Sequence, residues 1–258
     1  MSEPLLTYSK KDNIGIITLN RPAVHNALNL GMMQLLARTV DQVYQDPEVL
    51  VVILTASGKT TFCAGGDLKY FSTLKTSDEA YEMSQFMQTT LNRFWLGDRV
   101  VIGAINGQAF GGGCEILTAC HFLYSVPDAT FSFRQAANGI ITGWGGTTRL
   151  IKKLGRSVAL QLLLTATEFT AVEALQMGFL DKIVHSDSLM PSVLKFARQI
   201  ASKPSMVIKA FLDLSSPDDQ QNLTDQFEKE SRLFSELWVQ QDFQDWLIEF
   251  LGKVGNQE

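Results

Sequence analysis

The sequence predicts an α/β protein that ends in an all-helical region, and three observations predict it. Short β-branched apolar runs read as buried strands, stretches of helical period alternate with them, and from Leu189 onward only helical patterning remains. The first two strand-like runs are Ile14–Leu19 and Val49–Thr55. Between them Met32, Leu35, Leu36, Val40 and Val43 recur at helical spacing behind Asn29, a residue suited to cap a helix start. A second helix begins near Ser77, carries Tyr81, Met83, Phe86, Met87, Leu91 and Phe94, and ends before Gly97. Strand Val100–Ile105 follows. Glycines 111 to 113 then precede a short apolar helix from Ile116 to about Cys120, with strand-like Phe122–Ser125 and Thr130–Phe133 behind it. A further unit opens at Gly145. Thr170 and Glu173 have the spacing of a capping box, Gly178 closes the helix they start, and Asp181–Val184 reads as the last strand. In the tail Phe227, Leu233, Phe234, Leu237 and Trp238 form a broad apolar stripe, more than one small helix leaves in water, which predicts burial between subunits. The chain divides into a core of residues 1–195 and a helical oligomerisation region of residues 196–258.

With 258 residues, 45% of them apolar and 19% charged, the composition fits one ordinary globular core and excludes a disordered or fibrous chain. A net charge of -5 argues against a nucleic-acid or anionic-membrane surface, which needs clustered Lys and Arg. No run is long enough to span a bilayer, and the opening Met1-Ser-Glu-Pro4 has neither a secretory nor an organelle-targeting pattern, so the expected location is cytoplasmic. Cys63, Cys114 and Cys120 are too few and too irregularly spaced for a disulfide framework, and no Cys or His pair has zinc-ligand spacing; reduced, mostly buried thiols and no metal are expected.

Two glycine-rich turns carry the chemistry. Phe62-Cys-Ala-Gly-Gly-Asp-Leu68 lies downstream of the strand ending at Thr55, and Gly111-Gly-Gly113 precedes a helix whose first N–H groups lack intrahelical partners. Neither matches a P-loop or a dinucleotide fingerprint. Taken singly, each turn serves tight packing as readily as function. Taken together, they can offer one N–H apiece to a single oxygen, an oxyanion hole.

Five stretches in order resemble the crotonase, or enoyl-CoA hydratase/isomerase, family: Thr18-Leu-Asn-Arg-Pro22, His25-Asn-Ala-Leu28, Phe62–Leu68, Asn106-Gly-Gln-Ala-Phe-Gly-Gly-Gly-Cys-Glu115, and Gly145-Gly-Thr-Thr-Arg-Leu150. The resemblance covers nearly the whole chain and implies a spiral of ββα units with a C-terminal helical region that packs a homotrimer or a dimer of trimers. It implies an acyl-CoA thioester substrate, with CoA entering as part of that substrate and no separate cofactor. It places Gly66 and Gly112 as the oxyanion-hole donors and sets Ala64 and the following turn, Gly66, Asp67, Leu68 and Lys69, against the bound CoA.

In the hydratases of this family two glutamates share water activation and proton delivery. Glu115 fills the first place, whereas the second holds Gln135, and an amide exchanges no proton near neutral pH. The alternatives are that Gln135 simply lines a wall or that the register slips by two residues, which brings Arg134 into consideration. Met32–Leu36, Phe86–Phe94, Thr118–Cys120 and Gly139–Leu150, with Trp144-Gly-Gly-Thr-Thr-Arg-Leu150 the most specific, resemble the ethylmalonyl- and methylmalonyl-CoA decarboxylases. Decarboxylation of a malonyl-type CoA needs one acid and an oxyanion hole, so it is the expected reaction. Hydration of an enoyl-CoA, with a water held by Gln135, is the alternative, and a non-catalytic acyl-CoA binding protein is a third. Tyr70, one helical turn beyond Gly66, either reaches the pocket or only packs. His25 lies near the expected CoA entrance, while His121 and His185 follow apolar segments and read as structural. Lys253 resembles the family position that reaches a CoA phosphate, though a solvated terminal lysine is the plainer reading of the sequence alone.

Overall fold

A computed structural model describes residues 4–216 and 220–255; the opening residues 1–3, read above for a targeting signal, lie outside it. The chain begins with a hairpin, β1 (Leu6–Lys11) and β2 (Ile14–Leu19), and continues through α1 (Leu30–Gln45), β3 (Val51–Ala56), β4 (Thr61–Cys63), α2 (Leu68–Phe71) and α3 (Ser77–Leu96). Next come β5 (Val100–Ile105), β6 (Gln108–Phe110), α4 (Gly112–Thr118), β7 (Phe122–Ser125), β8 (Thr130–Ser132), α5 (Gly146–Leu154) and α6 (Arg156–Thr165). The last part runs β9 (Phe169–Thr170), α7 (Ala171–Gln176), β10 (Lys182–Ile183), α8 (Leu189–Ala201), α9 (Ser205–Ser215), α10 (Gln220–Trp238) and α11 (Gln241–Gly255).

Among the described residues ten strands form two sheets, a six-stranded one in the order β1-β2-β3-β5-β7-β10 and a four-stranded one in the order β4-β6-β8-β9. The pairs β3/β4, β5/β6 and β7/β8 each send their first strand to the large sheet and their second to the small one, so the chain winds as the expected spiral of ββα units. From β2 through β10 the large sheet is parallel, and β3 and β5 are buried along their whole length, which is why both read as continuous apolar runs. In the small sheet β4, β6 and β8 also run parallel. Their C-terminal turns therefore share one edge, and those turns carry the glycines and Gln135.

The helix signals hold in detail. The Asn29 side chain accepts from the Met32 N–H at 3.0 Å, and Thr170 and Glu173 form a reciprocal capping box. Thr76 and Glu79 form another at the start of α3. On α3 Met83, Met87, Leu91 and Phe94 are buried, but Phe86, expected on that face, is exposed and Tyr81 instead donates to Glu228 at 2.8 Å. The helix after the triple glycine begins inside it, at Gly112 rather than at Ile116. The three cysteines are free and buried. His121 accepts from the Val101 N–H at 3.0 Å, and burial lowers its pKa to about 4, so it is a neutral structural acceptor. His185 departs from expectation, because it lies exposed in the turn between β10 and α8.

The tail differs most from its sequence reading. Phe227, Phe234 and Trp238 are buried within the chain itself, because α10 packs along α3. Trp238 donates to the Leu74 carbonyl at 3.1 Å and meets Phe71, Phe234 and Phe243 at ring-centroid distances of 4.9, 5.2 and 4.6 Å. Leu237 is partly buried and only Leu233 of the stripe is exposed. These aromatic rings complete the core of their own subunit. The boundary expected at 195/196 falls inside α8, which packs on β3 and β5.

Candidate active site

The site grows from the adjoining ends of β4, β6 and β8. After β4 the chain turns through Gly65 (φ +103°), and this turn is fixed by Leu28, whose N–H donates to the Gly65 carbonyl at 2.8 Å and whose carbonyl accepts from the Asp67 N–H at 3.0 Å. After β6 the chain turns through Gly111, whose N–H donates to the Ser132 carbonyl at the end of β8 at 2.8 Å. The two turns touch: a Cβ at Gly65 would stand 3.0 Å from the Gly112 nitrogen. Among the described residues neither the Gly66 nor the Gly112 N–H has a hydrogen-bond acceptor.

Both glycines are also demanded by packing. A Cβ on Gly66 would fall 2.0 Å from the Phe71 ring, and one on Gly112 would fall 2.3 Å from the Trp144 ring. Tight packing and open N–H donors are therefore compatible in these turns.

Glu115, on the first turn of α4, is 3% exposed. One of its carboxylate oxygens accepts from the Trp144 N–H at 2.7 Å and the Gly146 N–H at 3.1 Å. The other accepts from the Gln135 side-chain amide at 2.8 Å. Burial raises the Glu115 pKa to about 7; the negative Glu230 acts in the same direction, and the two N–H donors and Arg149 oppose it. Near neutrality this carboxyl group is thus poised between acid and base.

Gln135, not Arg134, faces Glu115. Arg134 is turned outward, ion-paired with Glu168 at 3.2 Å and stacked over the Phe110 ring. The Gln135 carbonyl oxygen is buried and has no partner among the described residues. That oxygen can accept from a substrate or a water.

The residues expected along the CoA are less uniform. Ala64 and Lys69 are exposed, and Gly66, Leu68 and Tyr70 are half-buried along the same turn. Asp67 is occupied structurally, accepting from the Lys69 and Tyr70 N–H groups as the N-cap of α2 and pairing with Arg21 at 2.9 Å. His25 lies beside this turn, its carbonyl accepting from the Ala64 N–H at 3.0 Å. Lys253 is exposed on α11, whose helix packs on α2, and pairs with Glu249 at 2.5 Å, the solvated alternative.

Arg149 and Trp144 lie in the run singled out in the sequence, but their part in holding Glu115 was not legible there. Arg149 is buried and donates to Thr118, Asn92 and the Trp144 carbonyl, tying the 144–146 turn to α3 and α4. The described residues contain no cluster of three or more His, Cys, Asp or Glu able to hold a metal ion, and no helix long and apolar enough to cross a membrane.

The enoyl-CoA hydratase/isomerase family model matches residues 9–257. A crotonyl-CoA hydratase of Syntrophomonas wolfei is 32% identical over 244 residues, spanning 95% of this chain and 94% of the relative. An ethylmalonyl-CoA decarboxylase of Pongo abelii is also 32% identical, over 235 residues, spanning 89% of this chain and 77% of the relative. Among solved structures, an enoyl-CoA hydratase from Bacillus anthracis superposes with a TM-score of 0.80 at 27% identity, covering 97% of both chains.

Proposed function

Because the chain belongs to the enoyl-CoA hydratase/isomerase family, we propose that it decarboxylates a short malonyl-type acyl-CoA, such as ethylmalonyl-CoA, with Glu115 as its proton donor. The observation that carries this reading is the Gln135 amide donating to Glu115 at 2.8 Å. It leaves one titratable side chain at the centre of the site, where a hydratase of this family has two carboxylates.

In the reaction the thioester oxygen lies between the Gly66 and Gly112 N–H groups. The bond from the α-carbon to the carboxylate breaks, its electron pair becomes the enolate, and CO2 leaves. Each oriented N–H stabilises that enolate oxygen by about 3 kcal/mol. Protonated Glu115 then delivers its proton to the α-carbon and is reprotonated from water. A neutral Gln135 suits this substrate, since a second carboxylate would repel the departing one.

Hydration of a short enoyl-CoA is a second reading, and names among the relatives favour it. The unpartnered Gln135 oxygen gives it a physical basis, because a water donating to that oxygen and to ionised Glu115 would be aimed for attack. Purified protein assayed against ethylmalonyl-CoA and crotonyl-CoA in parallel separates the two. Release of CO2 with negligible hydration is the expected result, and rapid hydration without CO2 release overturns it. Assembly as a homotrimer or a dimer of trimers belongs to the same proposal; exposed Met206, Phe211, Leu214 and Ile248 supply apolar surface for it. Sedimentation that finds only monomer at micromolar concentration would remove it.

A further inference from the structure

We infer that Glu230, on the C-terminal helix α10, is a positioning residue for the active site, holding the turn that grips Glu115 and supplying a fixed negative charge behind it. The inference rests on Glu115 being the proton-transferring group proposed above. Glu230 is buried, and both of its carboxylate oxygens are engaged at the start of α5 and in the loop before it. One accepts from the Thr142 hydroxyl at 2.6 Å and the Thr147 N–H at 3.2 Å; the other accepts from the Thr148 N–H at 3.0 Å and the Thr148 hydroxyl at 2.8 Å. Four donors and no acceptor describe an ionised carboxylate.

Glu115 takes the Gly146 N–H and Glu230 takes the next two, so two carboxylates sit side by side on one helix N-terminus. The loop before it is stapled from the same side. Ser84 and Gln88 of α3 donate to the Gly143 carbonyl, Ser84 meets Ser231 of α10 at 2.7 Å, and Gln88 also donates to the Phe227 carbonyl at 3.2 Å. Trp144, next along that loop, presents its N–H to Glu115. α10 is thereby linked to the loop that holds Glu115 both directly, through Glu230, and through the Ser84 and Gln88 side chains of α3.

The charged and titratable groups around Glu115 are few. Glu230 on α10 raises its proton affinity, Arg149 on α5 lowers it, and Cys114 beside it on α4 is a thiol that burial pushes upward and keeps neutral. Gln135, facing it from the end of β8, carries no charge. Glu230 is thus the negative neighbour that, with burial, keeps Glu115 partly protonated in the neutral range.

The test is an infrared pH titration of the Glu115 carboxyl in the substrate-free full-length protein, identified by the band lost in Glu115→Gln. In Glu230→Gln the midpoint should fall by about one unit from the wild-type value near 7, as removal of an adjacent like charge requires. In Glu230→Asp, which draws the charge back by one methylene, it should fall by less. Thermal unfolding establishes that each variant is folded. A merely structural Glu230 would lower stability and leave the midpoint unmoved, so a folded variant of either kind that titrates like wild type overturns the inference. The readout needs no turnover. If Glu115→Gln retains full activity, the proposed reaction fails while the link between Glu230 and Glu115 stands or falls on the titration alone.

Discussion

Gln135→Glu places a second carboxyl group where an amide now donates to Glu115 at 2.8 Å, and the consequence can be worked from that geometry. With charge centres roughly 4 Å apart and an effective dielectric of about 20, two ionised carboxylates would repel by about 4 kcal/mol. That corresponds to about 3 pK units, so the pair would hold one shared proton throughout the neutral range. The pocket would then carry about one full negative charge at pH 7, where wild-type Glu115 alone, with its pKa of about 7, carries about half. A substrate that brings its own carboxylate should be penalised, with kcat/KM for ethylmalonyl-CoA decarboxylation falling at least about tenfold, which needs only 1.4 kcal/mol of the repulsion to be felt. An uncharged enoyl thioester should not be penalised. It gains a second acid-base group, worth about two to four orders of magnitude, so crotonyl-CoA hydration should rise from a low background. Both rates are measured on the same preparations, CO2 by a coupled assay and hydration by loss of the enoyl-thioester absorbance. Equal and high hydratase activity in wild type and Gln135→Glu would refute the reasoning, since water activation would then never have needed a second carboxylate.

Three further outcomes are expected. Glu115 has a pKa raised from 4.5 to about 7 in the folded state, so its stabilising contribution is full below about pH 4.5 and is lost as pH rises to about 7, by about 3 kcal/mol. His121, held low at about 4, works in the opposite direction. The measurement is therefore the difference between wild-type and Glu115→Gln denaturation curves across that window, and a difference independent of pH would contradict the assigned burial. Gly112→Ala should cost about 1–3 kcal/mol, because its Cβ would meet the Trp144 ring at 2.3 Å, and part of the loss relative to the matching single variant should return in Gly112→Ala/Trp144→Leu; strict additivity in calorimetry would argue against the contact. Trp238→Ala should cost about 3–5 kcal/mol at every protein concentration, since the ring is buried within its own chain. A loss that disappears on dilution would instead return the tail to a subunit interface.

Much of the frame was legible because it rests on local signals. The continuous apolar runs of β3 and β5 follow from burial on both faces, and the caps at Asn29 and Thr170 are complete within four residues of sequence. β4 and β6, at three residues each, are too short to show any period, and β1 hides because most of its residues are exposed on an edge. The meeting of Gln135 with Glu115 was legible only as a suspected pairing of places. Its geometry depends on β6 and β8 lying side by side. Glu230 gave no signal at all. It is one acidic residue on an amphipathic helix, and its donors lie more than eighty positions earlier. The cover of Phe227, Phe234 and Trp238 was misplaced because an apolar stripe states that it will be covered without stating by what, and their own chain covers them.

The parallel pairing of β4, β6 and β8 separates two kinds of inheritance in this protein. The first two strand ends carry the glycine N–H groups that would hold a thioester oxygen, and the third carries the side chain that would set what happens beyond it. Long excursions through the other sheet and its helices lie between these strand ends, so three separate stretches of sequence supply one site. Substitutions confined to the few residues after β8 would therefore change what meets the substrate beyond its thioester while leaving the two glycine turns as they are.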